Sequence, residues 1–140
     1  MVKAEMIADV MGLSCKIHSL YELTESVTRG LPKKSLKVTV THVTKDAELV
    51  RQISNQLVPP ASFKRRKGVL SVHESERVER LARLYATALD VWGDEEDARQ
   101  FLFNPHALLN GKKPIEMAFT ELGVRQVEHI LEKLRYGLPV

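Results

Sequence analysis

The stretch Ser71–Gly93, SVHESERVERLARLYATALDVWG, predicts one long helix and decides the fold class. It opens with the S-x-x-E pattern of a capping box, in which the Ser71 hydroxyl and the Glu74 carboxylate each accept a hydrogen bond from a backbone N–H at the helix start. Apolar residues then recur at steps of three and four, as on one face of a helix. They are Val78, Leu81, Tyr85, Ala88 and Trp92. Gly93 is a typical helix stop, so we expect a helix that ends at about Trp92.

The residues after Gly93 predict three more helices. Acidic residues at 94–97 suit the positive end of a second helix, which must end before Pro105 because the ring restricts the preceding residue. Pro114 suits the first position of a third helix. A break at Thr120–Gly123 precedes a fourth helix that runs to about Leu134. We expect Trp92 and Phe101 in the core of this helical back half.

The front half contains one helical pattern and one ambiguous segment. The stretch His18–Arg29 predicts an amphipathic helix with Leu20, Leu23 and Val27 on one side. The segment Leu36–Thr44 alternates like a strand, yet its apolar residues also fit a helical stripe. A strand would have no evident partner in an otherwise helical chain. We therefore favour a helix here, and a strand stays the alternative.

A basic cluster in the front half is a candidate DNA contact. Asp46 can cap one helix, and Pro60–Lys67 can form a second, short helix, which is the minimum of a helix-turn-helix. The second helix carries the candidate DNA-binding residues Ser62, Lys64, Arg65, Arg66 and Lys67. We expect mainly phosphate contacts, with Ser62 or Arg65 the better candidates for base edges. Residues 1–70 carry 12 Lys/Arg against 6 Asp/Glu, whereas residues 71–140 carry 9 against 12, which favours a polyanion partner for the front half alone.

The composition excludes several classes of protein. The chain of 140 residues has a net charge of +3 and one cysteine, so an internal disulfide is impossible. No apolar run approaches the ~18 residues of a membrane span, and we expect a cytoplasmic location. The histidines lack metal-ligand spacing, and no nucleotide-binding or nucleophile motif occurs. We therefore expect no catalytic residue, no metal and no cofactor, and a protein that is not an enzyme.

The C-terminus LRYGLPV ends on apolar residues after a glycine that can stop the last helix. One interpretation is a clamp that packs on the chain's own helices. The other is a short arm for a partner, in which Tyr136 is an aromatic anchor and Arg135 a bidentate donor. The arm comprises the candidate partner-binding residues Arg135, Tyr136, Gly137, Leu138, Pro139 and Val140.

Residues 68–140 resemble the toxin-binding domain of the Xre/MbcA/ParS family of bacterial antitoxins, the partners of RES-domain toxins. The resemblance rests on short elements that occur in order and at family spacing. They are Leu70-Ser71, Glu74–Arg77, Arg80–Arg83, Gly93-Asp94, Ala98, Leu102, Leu109, Gly111, Pro114–Glu116, Thr120–Gly123, Val127, Leu131 and Tyr136–Leu138. Residues 30–32 and 62–66 are similar, more loosely, to the family's Xre-type helix-turn-helix region.

The resemblance implies an all-α antitoxin with two regions. Residues 1–67 would form an Xre-like helix-turn-helix that binds the operator DNA of the chain's own operon and dimerises. Residues 68–140 would bind a RES-type toxin, an NAD-degrading or ADP-ribosylating enzyme, and occlude its active site with the arm. A palindromic operator would require a homodimer, which would then lie within a hetero-oligomer. The alternative is a free-standing helix-turn-helix transcriptional regulator without a toxin partner.

Overall fold

The computed structural model of the chain describes residues 1–13 and 17–139. These residues form helices and no β-strand, so the predicted all-α fold class is confirmed. The α-helices are α1 (Ala4–Val10), α2 (Leu20–Arg29), α3 (Lys34–Val43), α4 (Ala47–Leu57), α5 (Pro60–Arg65), α6 (Val72–Trp92), α7 (Glu95–Phe103) and α8 (Glu121–Arg135). Two 3-10 turns, Ala107–Leu109 and Pro114–Met117, lie between α7 and α8. Within the described part, none of these helices combines the length and apolar character needed to cross a bilayer.

The central element is α6, which packs against α1, α2 and α3 of the front half and against α7 and α8 of the back half. The predicted capping box is confirmed, because Ser71 accepts a hydrogen bond from the Glu74 N–H and Glu74 accepts one from the Ser71 N–H. Val78 and Leu81 on the predicted stripe have no exposed surface. Gly93 ends the helix with φ +75°, a left-handed conformation that favours glycine.

The ambiguous segment forms α3, so the helix that we favoured for Leu36–Thr44 is confirmed. Leu36, Val40 and Val43 all lie on one face of α3 and are buried. β-Branched residues lower helix propensity by less than about 1 kcal/mol each. Burial of each of these side chains contributes about 1.5–3 kcal/mol, so packing against the neighbouring helices outweighs the local preference for a strand.

Trp92, which was predicted to lie in the core, and Leu20, which was predicted on the apolar side of α2, are both exposed. Trp92 is 42% exposed. The centroid of its ring nevertheless lies 6.0 Å from the ring centroid of Phe101, which is half-buried. Leu20, which shares one side of α2 with Leu23 and Val27 in the prediction, is 67% exposed. Each residue lies at the end of its helix, where the apolar stripe continues past the edge of the core.

The region before α8 differs from the predicted third helix. Pro114 begins only a 3-10 turn, and α8 begins at Glu121, inside the segment predicted as a break. The Thr120 side chain caps α8 by accepting a hydrogen bond from the Gly123 N–H at 3.0 Å. A Cβ at Gly123 would lie 2.2 Å from the Met117 carbonyl oxygen. Glycine therefore occurs at position 123 because the backbone of Met117 lies too close for a Cβ, and not because the helix is interrupted there.

The two halves meet at the start of α6. The Leu31 N–H donates to the Ser75 hydroxyl at 2.8 Å, and the Leu70 N–H donates to the Leu31 carbonyl at 2.8 Å. Buried apolar side chains from both halves form one cluster. The regions 1–67 and 68–140 therefore share a core, and their division at 67/68 stays a prediction about their roles.

Candidate functional site

The end of α8 has a Schellman motif that gives the chain a defined exit direction. Gly137 has φ +69°, its N–H donates to the Leu134 carbonyl at 3.1 Å, and the Leu138 N–H donates to the Lys133 carbonyl at 2.8 Å. These bonds satisfy carbonyl groups that the helix itself leaves without a partner. The residues after Gly137 therefore begin from a well-ordered turn.

The described residues of the arm after Arg135 are exposed to solvent. Tyr136 is 71% exposed and Leu138 is 52% exposed, and Pro139 is exposed as well. Val140 lies outside the described residues. The interpretation in which the arm packs on its own helices is therefore not what the structure shows for Tyr136–Pro139. Tyr136 and Leu138 therefore leave apolar surface available to a partner.

Arg135 lies at the base of the arm and is engaged within the chain. Its Nη1 donates to Asp90 Oδ2 of α6 at 2.7 Å, and its Nε donates to Glu132 Oε1 at 3.4 Å. The hydrogen bond to Asp90, followed by the charge of Glu132, raises the pKa of Arg135. Its Nη2 is buried and has no hydrogen-bond partner among the described residues. Arg135 thus ties the start of the arm to the end of α6.

Further ion pairs hold α8 on α6. Arg83 Nε donates to Glu128 Oε2 at 3.0 Å, and Arg80 Nε donates to Glu121 Oε2 at 3.1 Å. Arg83 Nη1 also donates to Glu79 Oε1 at 3.3 Å. Burial raises the pKa of Glu79, while the charge of Arg83 opposes this effect. Glu79 and Arg83 lie one turn apart within α6, whereas the two pairs with Glu121 and Glu128 join helices far apart in the chain and could not be found from a local pattern.

The predicted DNA-binding residues lie on α5 and just after it. Lys64, Arg65 and Lys67 are exposed. Ser62 is half-buried, and its hydroxyl accepts a hydrogen bond from Arg65 Nη2 at 3.2 Å. α5 has six residues and follows α4 after Val58 and Pro59, so it presents a short cationic surface.

Arg66 differs from the other members of this cluster. Its Nε and Nη2 donate to Glu74 Oε1 and Oε2 at 2.7 and 2.9 Å, a bidentate pair. The Glu74 side chain is 5% exposed. The hydrogen bonds from Arg66 lower the pKa of Glu74 to about 2 against the effect of burial, and the Ser71 N–H contributes in the same direction. Arg66 therefore joins the end of α5 to the cap of α6, and its guanidinium is already occupied.

Three more cations, distant from α5 in the sequence, lie close to it in space. Lys37, Lys45 and Arg51 line the same groove as Lys64. They come from α3, from the connection between α3 and α4, and from α4, so no local pattern could have found them. Among residues 1–13 and 17–139, no group of three His, Cys, Asp or Glu side chains is placed to hold a metal ion.

Comparisons with known proteins agree with the resemblance seen in the sequence. The sequence profile of the family described as the antitoxin Xre/MbcA/ParS C-terminal toxin-binding domain matches residues 87–137. A curated relative, "Antitoxin Xre" of Pseudomonas putida strain KT2440, is 33% identical over 86 residues. That alignment covers 59% of this chain and 54% of the relative, so the chain spans about half the length of the relative.

The matched segment contains the end of α6, all of α7 and α8, and the Schellman turn at Gly137. It therefore covers the helices that position the arm. In sequence, residues 87–137 of this chain are therefore similar to the toxin-binding domain of the Xre/MbcA/ParS antitoxin family.

Proposed function

We propose that the chain is an antitoxin that neutralises a cognate RES-domain toxin by binding it and covering its active site with the C-terminal arm. The observation that carries this proposal is the exposed arm. It continues from the Schellman turn at the end of α8, in a segment that is similar to a toxin-binding domain. In this role the chain acts by binding and not by catalysis. Toxin and antitoxin would meet in the cytoplasm.

The arm is suited to this task because it is short and ordered at its base. The Schellman bonds at Gly137 and the Arg135–Asp90 pair already restrict the first residues of the arm. Little conformational entropy is then lost on docking, so a small contact contributes more to affinity. Burying a whole leucine side chain stabilises a complex by about 1.5–3 kcal/mol, and the exposed half of Leu138 therefore provides about 1 kcal/mol.

Measurement of toxin binding tests this role. The probe is the proposed cognate RES-domain toxin in its active form. Deletion of residues 138–140 should weaken binding at least tenfold and restore NAD consumption by the toxin, and Leu138→Ala should weaken binding about fivefold. The matched control is Leu108→Ala, because Leu108 is 53% exposed in the connection before α8. Full inhibition by the shortened chain would refute active-site occlusion by the arm.

We propose in addition that the front half binds the operator of its own operon, as a homodimer within the toxin complex. The exposed side chains of Lys64, Arg65 and Lys67 support this role through phosphate contacts, whereas Arg66 supports the fold through Glu74. Each lost phosphate contact lowers the slope of log affinity against log salt by about 0.9. Substitution of these three cations by alanine should therefore reduce the slope by about 2–3.

The control for this experiment is the pair Lys112→Ala and Lys113→Ala, which removes exposed cations from the back half. The control should leave the slope for a promoter fragment unchanged. Equal slopes for the triple variant and the unchanged protein would exclude the cluster at α5 as a DNA contact.

A further inference from the structure

A groove of about 690 Å³ lies between α3, α4 and α5. Its apolar lining includes Leu36, Val50, Val58 and Phe63, which form what we call the apolar floor. Leu36 and Val58 are only 5% and 1% exposed, and Val50 and Phe63 are half-buried, so none of these four side chains is fully exposed to solvent. Recessed apolar cavities of about 300–1,000 Å³ are typical of small-molecule sites, whereas protein docking surfaces present exposed apolar anchors.

The rim of the groove is cationic. Lys37, Lys45, Arg51 and Lys64 line it, and none of the described lining residues is acidic. Arg51 is paired with Glu48, which lies outside the lining. Lys37, Lys45 and Lys64 are exposed, and Lys45 Nζ also donates to the Thr41 carbonyl at 2.9 Å. A negative charge would be attracted to these amines while an apolar body enters the groove.

The wall formed by α5 is held in place without a ligand. The Lys33 ammonium lies 4.3 Å from the centroid of the Phe63 ring and donates to the Arg66 carbonyl at 3.2 Å. The Arg66 guanidinium is in turn held by the buried Glu74. The groove is therefore preformed, which lowers the entropic cost of binding.

We propose that this groove binds a small amphiphilic anion with a slender apolar body and one anionic head group, of the class of medium-chain carboxylates. The apolar floor would take the hydrocarbon, and Lys37, Lys45 and Lys64 would surround the head group. DNA would use the cations but has no apolar body for the recess. The inference does not depend on toxin binding.

One consequence rests on the proposed operator binding. Lys64 belongs to both the groove and the cluster at α5, so an occupied groove neutralises part of the charge that would contact phosphate. Ligand binding would then lower operator affinity and link transcription of the operon to the level of the amphiphile.

The direct test is titration of the full chain with decanoate below its micellar concentration. Binding is measured by calorimetry and by the changes in amide chemical shifts. Decanol and decylammonium are probes of equal chain length that lack the negative charge. We expect saturable binding of one decanoate, at least tenfold tighter than either control probe, with the largest shifts in α3, α4 and α5. Equal affinity for decylammonium, or shifts centred elsewhere, would overturn the proposal.

Variants separate the head-group site from the floor. The double variant Lys45→Ala plus Lys64→Ala should weaken decanoate binding at least tenfold, whereas Lys112→Ala plus Lys113→Ala should not change it. Val50→Trp should fill the recess and abolish binding, and its circular dichroism must match the unchanged chain. Since exposed lysines tolerate substitution, unchanged affinity in the lysine variant would by itself overturn the proposal.

Two further outcomes identify other occupants. Shifts of the groove residues that depend on protein concentration and not on decanoate would assign the surface to a second copy of the chain, against the proposal. If decanoate binds but leaves promoter affinity unchanged, the groove site stands and only its link to operator binding fails.

Discussion

Replacement of Glu74 by glutamine tests how much the ion pair between Arg66 and Glu74 stabilises the folded chain. Glu74 accepts both hydrogen bonds from the Arg66 guanidinium and is buried at the start of α6. Glutamine preserves the size of the side chain and an acceptor for the Ser71 N–H. The substitution therefore removes the charge and the bidentate geometry but leaves the helix cap largely in place.

The size of the effect follows from the pKa of Glu74. Its fall from 4.5 to about 2 corresponds to about 3 kcal/mol at 1.36 kcal/mol per pH unit. The Arg66 side chain is 32% exposed, and screening by water reduces this to about 2 kcal/mol. A carboxyl whose pKa is lower in the folded chain stabilises it above the unfolded pKa. This contribution is lost as the pH falls from about 4.5 through about 2.

Urea denaturation provides the assay. At pH 7, Glu74→Gln should lower the free energy of unfolding by about 2 kcal/mol. Between about pH 5 and pH 2, the unchanged chain should lose stability more steeply than the variant, because only the unchanged chain carries the titrating pair. The control is Glu76→Gln on the same helix, whose side chain is 51% exposed and which should stay within about 0.5 kcal/mol. Equal stabilities for the two variants, or identical pH profiles, would refute this role of the pair.

Two glycines give contrasting predictions. Gly123→Ala should cost about 2–3 kcal/mol of unfolding free energy, because its Cβ would lie 2.2 Å from the Met117 carbonyl oxygen and backbone would have to move. A Cβ at Gly137 would have open space around it, so Gly137→Ala adds only the strain of φ +69° and should cost about 1 kcal/mol of unfolding free energy. Because the arm is redirected, the free energy of toxin binding should change by more than this amount. Thermal and urea unfolding measure both values, and an equal cost for the two variants would contradict the distinction between overlap and strain.

Much of the fold could be predicted because its signals are local. The capping box at Ser71, the glycine stop at Gly93 and the extended Asn104 before Pro105 each act within about one helical turn, and each is present in the structure. A C-terminal arm available to a partner was one of the two interpretations that the sequence allowed. Exposure of Tyr136 and Leu138 depends on how far the neighbouring helices extend, which no local pattern contains.

The candidate site was predicted less completely, for the same reason. The sequence groups the basic residues of α5 along the chain. The ion pair between Arg66 and Glu74, however, depends on how the end of α5 packs against the start of α6. The cations at Lys37 and Lys45 join Lys64 only through the packing of three helices around a groove.

The sequence by itself determined the start and end of α6, the cap of α4 at Asp46 and the end of α7 before Pro105, because capping hydrogen bonds, backbone restrictions and apolar periodicity act between residues a few positions apart. Only the tertiary structure decided that Leu36–Thr44 is helical, which arginines are occupied, and where a recess remains open. Burial and ion pairing depend on distances between residues far apart in the chain, and those distances exist only after the helices have packed.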